Sequence, residues 1–125
     1  MSKVEIFANP AKLEALKDAL NKIGITGLTV TPVKGCGAQK GKTEFYRGTK
    51  MDITLLPKVR VETVVSKVPV QSVIDAAKSV LYSGAVGDGK IFVYDVENVV
   101  RISSGEEGYD ALQYDYDRAK DKKTA

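Results

Sequence analysis

Apolar and polar residues alternate along several stretches of the chain, and this alternation predicts the strands. The first alternation runs from Lys3 to Ala8, where Val4, Ile6 and Ala8 share one side of an extended backbone. Further strands are predicted at residues 28–33, 59–65 and 91–96, with a short fifth β segment at residues 98–102. Pro32 has no N–H to donate to a ladder, so we expect the strand that contains it to lie at an edge or a bulge.

Two other stretches repeat apolar residues at helical spacing. The first helix is predicted after Asn9, which suits an N-cap, with Pro10 at the first helical position and Gly24 as the terminator. Its apolar stripe consists of Leu13, Leu16, Leu20 and Ile23, and that of the second helix of Val70, Val73, Ile74, Ala77, Val80 and Leu81.

The order of these elements indicates the fold class. Strand, helix, strand, long loop, strand, helix, strand is the order of a ferredoxin-like βαββαβ sandwich, an α+β fold. The helices would cover one sheet face only, and we expect the other face to carry valines. An uncovered apolar face predicts self-association.

Composition narrows the function classes. With 125 residues, one domain is expected, and no stretch has the apolar length of a membrane span or a signal peptide, so we expect a cytoplasmic protein. The chain has no histidine, which removes imidazole bases, and its one cysteine, Cys36, excludes an internal disulfide. A net charge of +3 is too small to indicate nucleic-acid binding, although anionic small ligands suit it.

Three glycines and a lysine lie together between the second helix and the last main strand. Gly84, Gly87, Gly89 and Lys90 fall within eight residues, with Asp88 among them. Glycines let backbone N–H groups approach an oxyanion closely, and the lysine adds a positive charge, so this glycine loop (residues 83–89) predicts a phosphate site. The alternative is that these are ordinary turn glycines. The loop matches neither the Walker pattern nor the dinucleotide fingerprint.

Residues 34–57 lose all periodicity, and a loop of about twenty residues inside a small domain is commonly functional. Its Phe45, Tyr46 and Met51 favour a recognition loop over a passive insertion.

The residues support catalysis and RNA binding less well than the binding of a phosphate ligand. An RNA-recognition module would place aromatics on its third strand, and residues 59–65 have none. Cys36 between two glycines is better interpreted as a small packed residue than as a nucleophile, because no histidine can activate it. Arg101 suits either an anion or a surface ion pair. The residues therefore favour a phosphate-ligand binding protein, with a small phosphotransferase as the alternative.

Three motifs together resemble the PII nitrogen-regulatory signalling proteins. They are VKGCGAQKG at residues 33–41 with FYRG at 45–48 and LPKV at 56–59, GDGKIF at 87–92, and RISSGEEG at 101–108. Cys36 and the segment VSKVPV at 65–70 are most similar to the GlnK-type members of Gram-positive bacteria. The resemblance covers about residues 3–112.

The resemblance implies a signalling protein rather than an enzyme. It implies a homotrimer with three sites between subunits that bind ATP or ADP, with Mg²⁺ beside ATP and 2-oxoglutarate as a further ligand. A T-loop at about residues 36–56 would dock on an ammonium transporter, a soluble enzyme or a transcription regulator. Residues 1–112 would form the domain and residues 113–125 a flexible tail.

The family's binding residues carry over by position. The phosphates would meet Gly87, Gly89, Lys90 and Arg101, with the backbone of Gly37 and Ala38. Asp88 and Ser103 would also belong to the nucleotide-binding site. Thr29, Glu62 and Val64 of the neighbouring subunit would line the adenine pocket. Gln39 would ligate Mg²⁺, and Gln39, Lys40, Gly41 and Lys58 would meet 2-oxoglutarate. Tyr46, Arg47 and Gly48 would contact the partner, with Arg47 entering the pore of an ammonium channel.

Three positions depart from the family pattern. Met51 replaces the tyrosine that proteobacterial members have uridylylated, so we expect no such modification there. Ala38 and Ser103 stand where many members have arginines near the phosphates. Fewer charged hydrogen bonds weaken polyphosphate recognition. The alternative is therefore an energy sensor that binds ATP and ADP but ignores 2-oxoglutarate.

Overall fold

The protein forms one antiparallel sheet covered on one face by two helices. The computed structural model describes residues 1–35, 45–46, 49–50 and 55–112, the two dipeptides as backbone only. The strands are β1 (Ser2–Ala8), β2 (Thr29–Gly35), β3 (Phe45–Tyr46), β4 (Thr49–Lys50), β5 (Leu56–Val65) and β6 (Lys90–Asp95), and the helices are α1 (Leu13–Lys22) and α2 (Val70–Leu81). The main sheet has the order β2-β5-β1-β6, as the ferredoxin-like prediction requires.

The core lies between the helices and one sheet face. Val4, Ile6 and Val61 of the two central strands are almost fully buried. They pack with residues of the predicted helical stripes, Leu16, Leu20, Val73, Ala77 and Leu81. Burial of these apolar side chains holds both helices on the sheet.

The ends of α1 follow the sequence signals with one difference. Asn9 Oδ1 accepts a hydrogen bond from the Ala11 backbone N–H at 2.9 Å. The turn that it caps, Pro10–Lys12, is a 3₁₀ helix, and the α-helix begins only at Leu13. Gly24 has a φ of +94° just beyond the last turn, as expected of a helix-terminating glycine.

The long loop is shorter than the side-chain pattern predicted. Backbone pairing continues through Lys34↔Pro57 and Gly35↔Leu56, and β3 pairs with β4 inside the T-loop. The hydrogen bonds of a β ladder join backbone groups, so strand pairing can extend beyond the segment in which apolar and polar side chains alternate. β2 is an edge strand, which confirms the prediction from Pro32.

The C-terminal part differs from the prediction in two ways. The expected fifth β segment at 98–102 is only a single bridge between Val100 and Glu107. The polar stretch from Gly105 to Leu112, for which the sequence predicted no helix or strand, turns back and forms a 3₁₀ helix, Gly108–Leu112, whose Ala111 is buried. Gly105 and Gly108 have positive φ values, which permit this reversal.

The open sheet face is not the valine surface expected. Alternation and register place Val33 and Val64 there, but most of its positions are charged or aromatic: Lys3, Glu5, Phe7, Lys58, Arg60, Glu62, Lys90, Phe92 and Tyr94. The valines of β5 at 59, 61 and 65 face the helices instead and are buried. Any partner of the open face would therefore meet ion pairs and aromatic rings.

Candidate functional site

The glycine loop is held tightly against the first strand. Gly84, Gly87 and Gly89 have φ values of +85°, +104° and +114°, which side-chain-bearing residues rarely adopt. A Cβ at Gly89 would lie 1.9 Å from the carbonyl oxygen of Phe7. Gly89 is therefore required by close packing alone, whatever the loop binds.

Asp88 gives this loop its shape. Its carboxylate accepts hydrogen bonds from the backbone N–H of Ser83 at 2.7 Å and of Gly84 at 3.0 Å, and from the Ser83 hydroxyl. The hydrogen bonds from the Ser83 side chain and backbone hold the pKa of Asp88 below its ordinary value. Among the predicted nucleotide-binding residues, Asp88 thus organises the loop, since a carboxylate would repel a phosphate.

Lys58 connects the base of the T-loop to the glycine loop. Its Nζ donates a hydrogen bond to the carbonyl oxygen of Gly87 at 3.1 Å. Lys90 opens β6, where it pairs with Phe7, and Val59 beside Lys58 pairs with the next residue, Ala8. The fold therefore gathers the predicted residues Lys58, Gly87, Gly89 and Lys90 at one end of the sheet.

The predicted adenine residues form a second group farther along the open face. Thr29 and Glu62 are register partners on β2 and β5. Val64 lies six residues beyond Lys58 on the same strand, about 20 Å away at the rise of an extended chain. Within one chain, the glycine loop and Lys90 are therefore well separated from the residues predicted to line the adenine pocket.

Glu62 is held in an ion-pair cluster. Its carboxylate contacts Lys3 Nζ at 3.3 Å and Arg60 Nε at 3.8 Å. Burial alone would raise the pKa of Glu62, but the hydrogen bond from Lys3, the contact with Glu5 and the charge of Arg60 outweigh it and lower this pKa. Lys3 and Glu5 were missed by the motif comparison, although their alternation along the first strand already placed them on one face.

Arg101 lies with the C-terminal segment. Its Nη2 donates to the carbonyl oxygen of Ala111 at 2.9 Å, and Ala111 lines an open cleft of 340 Å³ together with Gly27 and Val64. The fold therefore places Arg101 near the end of the sheet at which Val64 lies, away from the glycine loop. Ser103 is exposed in the turn that directly follows Arg101.

The remaining predicted residues lie outside the described ranges. These are Gly37, Ala38, Gln39, Lys40, Gly41, Arg47 and Gly48, and Tyr46 is described only as backbone of β3. Within residues 1–35 and 55–112, no group of three or more acidic or cysteine side chains could hold a metal ion. No helix in those ranges is long and apolar enough to cross a membrane.

Comparison with known proteins identifies close relatives. The family model described as nitrogen regulatory protein P-II matches residues 1–106. The nitrogen regulatory PII-like protein of Bacillus subtilis is 53% identical over 112 residues, which is 90% of this chain and 97% of the relative. The P-II protein of Pasteurella multocida is 49% identical, over 90% of this chain and all of the relative.

Two solved structures share the fold. The structure of B. subtilis GlnK has a TM-score of 0.75 at 52% identity and covers 89% of this chain and 97% of its own. The B. subtilis GlnK–ATP complex also has a TM-score of 0.75, at 48% identity, covering 89% of this chain and 94% of its own. These matches confirm the ferredoxin-like fold.

Proposed function

The chain belongs to the nitrogen regulatory P-II protein family, and from this premise we propose that it binds ATP or ADP and regulates target proteins through its T-loop. The observation that carries the proposal is the hydrogen bond from Lys58 to the Gly87 carbonyl. This hydrogen bond joins β5, the strand that follows the T-loop, to the glycine loop. A phosphate that draws Lys58 away from Gly87 would change the preferred position of the T-loop base, which is a differential-affinity mechanism.

The chemistry of the glycine loop suits a polyphosphate. Gly87 and Gly89 bring backbone close to the ligand, while Lys58 and Lys90 bring two positive charges to the same end of the sheet. The ammonium group of Lys90 forms no ion pair or hydrogen bond with the described residues. Among these residues, therefore, Lys90 has no contact that would have to break before it could bind a phosphate.

The separation of the two residue groups supports sites between subunits. Lys58 and Val64 lie about 20 Å apart on one strand. Two neighbouring chains can therefore bring the glycine loop and the residues predicted for adenine onto one nucleotide more easily than a single chain can. We propose a homotrimer in which Thr29, Glu62 and Val64 of one subunit face Lys90 and the glycine loop of the next. The exposed aromatics Phe92 and Tyr94 on the open face suit such an interface.

Metal and 2-oxoglutarate binding depend on the T-loop base. We propose that Gln39 holds Mg²⁺ beside ATP and that Lys58, with Gln39, Lys40 and Gly41, meets 2-oxoglutarate. A dicarboxylate needs a cation to offset its desolvation, so its binding should require Mg·ATP. With Ala38 and Ser103 in place of arginines, the second candidate is an adenine-nucleotide sensor without a 2-oxoglutarate response.

The regulated partner would meet Tyr46, Arg47 and Gly48. We propose a cytoplasmic protein that contacts an ammonium transporter, a soluble enzyme or a transcription regulator, with no nucleic-acid ligand and no catalysis of its own. Arg47 would satisfy pore carbonyl groups if the partner is a channel.

Calorimetry with ATP tests the proposal. Lys90→Ala should weaken ATP binding by about 1–3 kcal/mol, the range for a lost charged hydrogen bond. Lys17→Ala is the matched control, because Lys17 lies on the helix surface and forms an ion pair with Glu14 at 3.3 Å. Lys90→Ala is a cleaner test than Arg101→Ala, since the latter also releases Ala111. Unchanged ATP affinity in Lys90→Ala would contradict the phosphate assignment.

A further inference from the structure

Lys3 occupies the centre of a charged cluster on the open sheet face. Its Nζ lies 3.3 Å from Glu62 Oε1 and 3.5 Å from Glu5 Oε2. The same ammonium group lies 4.8 Å from the centroid of the Tyr94 ring. Three strands thus contribute to one cluster, because Lys3 pairs with Val64 on one side and with Tyr94 on the other.

The floor of this cluster is rigidly placed. Glu5 is only 8% exposed, and it accepts a hydrogen bond from the Tyr94 hydroxyl at 3.5 Å. Glu5 and Glu62 are register partners on adjacent strands. Lys3 Nζ lies between these two carboxyl groups and contacts one oxygen of each.

Glu62 has less fixed surroundings than Glu5. Its side chain is 21% exposed, and its second cation, Arg60 Nε, lies at the longer distance of 3.8 Å. Of the two cations, Lys3 is therefore the closer one, and it both neutralises the Glu62 carboxylate and fixes its direction. Thr29, the register partner of Glu62 on β2, carries no charge. A carboxylate held in this way accepts hydrogen bonds at a defined place.

We infer that Lys3 is a positioning residue that holds Glu62 where it accepts a hydrogen bond from the nucleoside half of the bound nucleotide. This inference rests on the proposed nucleotide binding but concerns a residue that none of the motifs contains. Lys3 itself touches no ligand and acts through Glu62. Without Lys3, the remaining cation within 4 Å of Glu62 among the described residues would be Arg60, at the longer distance of 3.8 Å, so the carboxylate would lose its defined position.

A double-mutant cycle with ATP as the probe tests the inference. Lys3→Met in the wild-type protein should weaken ATP about tenfold, the scale of one charged hydrogen bond. In the Glu62→Gln background the same change should weaken ATP by less than about threefold, because a neutral amide depends much less on a cation. Lys3→Arg should restore most of the affinity, since a guanidinium can reach both carboxylates and stack on Tyr94.

Controls separate positioning from general damage. Lys17→Met removes one lysine from a surface pair and should leave ATP affinity unchanged. A folding defect caused by Lys3→Met would weaken ATP equally in both backgrounds, and that result would overturn the inference. Wild-type affinity in Lys3→Met would overturn it as well. If the wild-type protein bound no ATP, the proposed function would fail first.

Discussion

Gly89 shows how a single residue combines a backbone requirement with a contact requirement. Its φ of +114° is unfavourable for any residue with a Cβ, and the nearest atom that a Cβ would meet belongs to the backbone of Phe7. A backbone atom of a central strand cannot move aside as the end of a side chain can. The glycine therefore couples the loop to β1.

Gly89→Ala should lower the free energy of unfolding by more than about 2 kcal/mol, because strain at positive φ and a backbone clash act together. Gly27→Ala is the matched control, since nothing lies within 4 Å of a Cβ there. Urea unfolding of both variants checks the difference. Equal stability of the two variants would contradict the close packing at Gly89.

At the scale of elements, the glycine loop is organised by its own carboxylate. Asp88 accepts from two consecutive backbone N–H groups, which is how side chains cap a turn. The loop shape thus depends on Asp88 being ionised.

The stabilisation by Asp88 should depend on pH. The pKa of Asp88 in the folded protein lies below the ordinary value of 3.8, so the stabilisation is present above pH 3.8 and is lost as the pH falls through the lowered pKa. Asp88→Asn should therefore lower the urea midpoint more near pH 6 than near pH 2.5, because protonation of Asp88 at low pH removes part of the stabilisation that the substitution abolishes. A midpoint difference that is the same at both pH values would show that ionisation of Asp88 is not involved.

At the scale of the whole molecule, the two halves of the proposed site lie at different places on the same sheet. The residues around Lys90 and those around Glu62 would come together only when a second copy of the chain completes each site. In the proposed trimer, assembly would therefore be a condition of nucleotide binding.

Mixing two defective variants tests this arrangement. Lys90→Ala and Glu62→Ala should each bind ATP poorly, but subunits exchanged between them should recover wild-type affinity at about a quarter of the sites, as random cyclic assembly predicts. Native mass spectrometry of the mixture should show three copies per assembly, and calorimetry gives the fraction of recovered sites. No recovery in mixed assemblies would mean that each site lies within one chain.

The sequence alone determined the local elements, because periodicity and capping act over a few residues. It predicted a second helix from an apolar stripe whose first and last members, Val70 and Leu81, are the observed ends of α2. It also predicted the edge position of the strand with Pro32 and the termination of α1 at Gly24. It also singled out the glycine loop, and the motifs identified the family that the comparisons confirm. All of these signals lie in residues close together along the chain.

Only the tertiary structure decided which distant residues meet. Residues 98–102 do not form the expected strand, since their pairing is a single bridge between Val100 and Glu107. Backbone pairing extends β2 and β5 to Gly35 and Leu56, beyond the apolar alternation. The same pairing brought Lys3 to Glu62, 59 residues away in sequence, and Lys58 to Gly87. Side-chain patterns report which face a residue takes, but strand register, a long-range property, chooses its neighbours on that face.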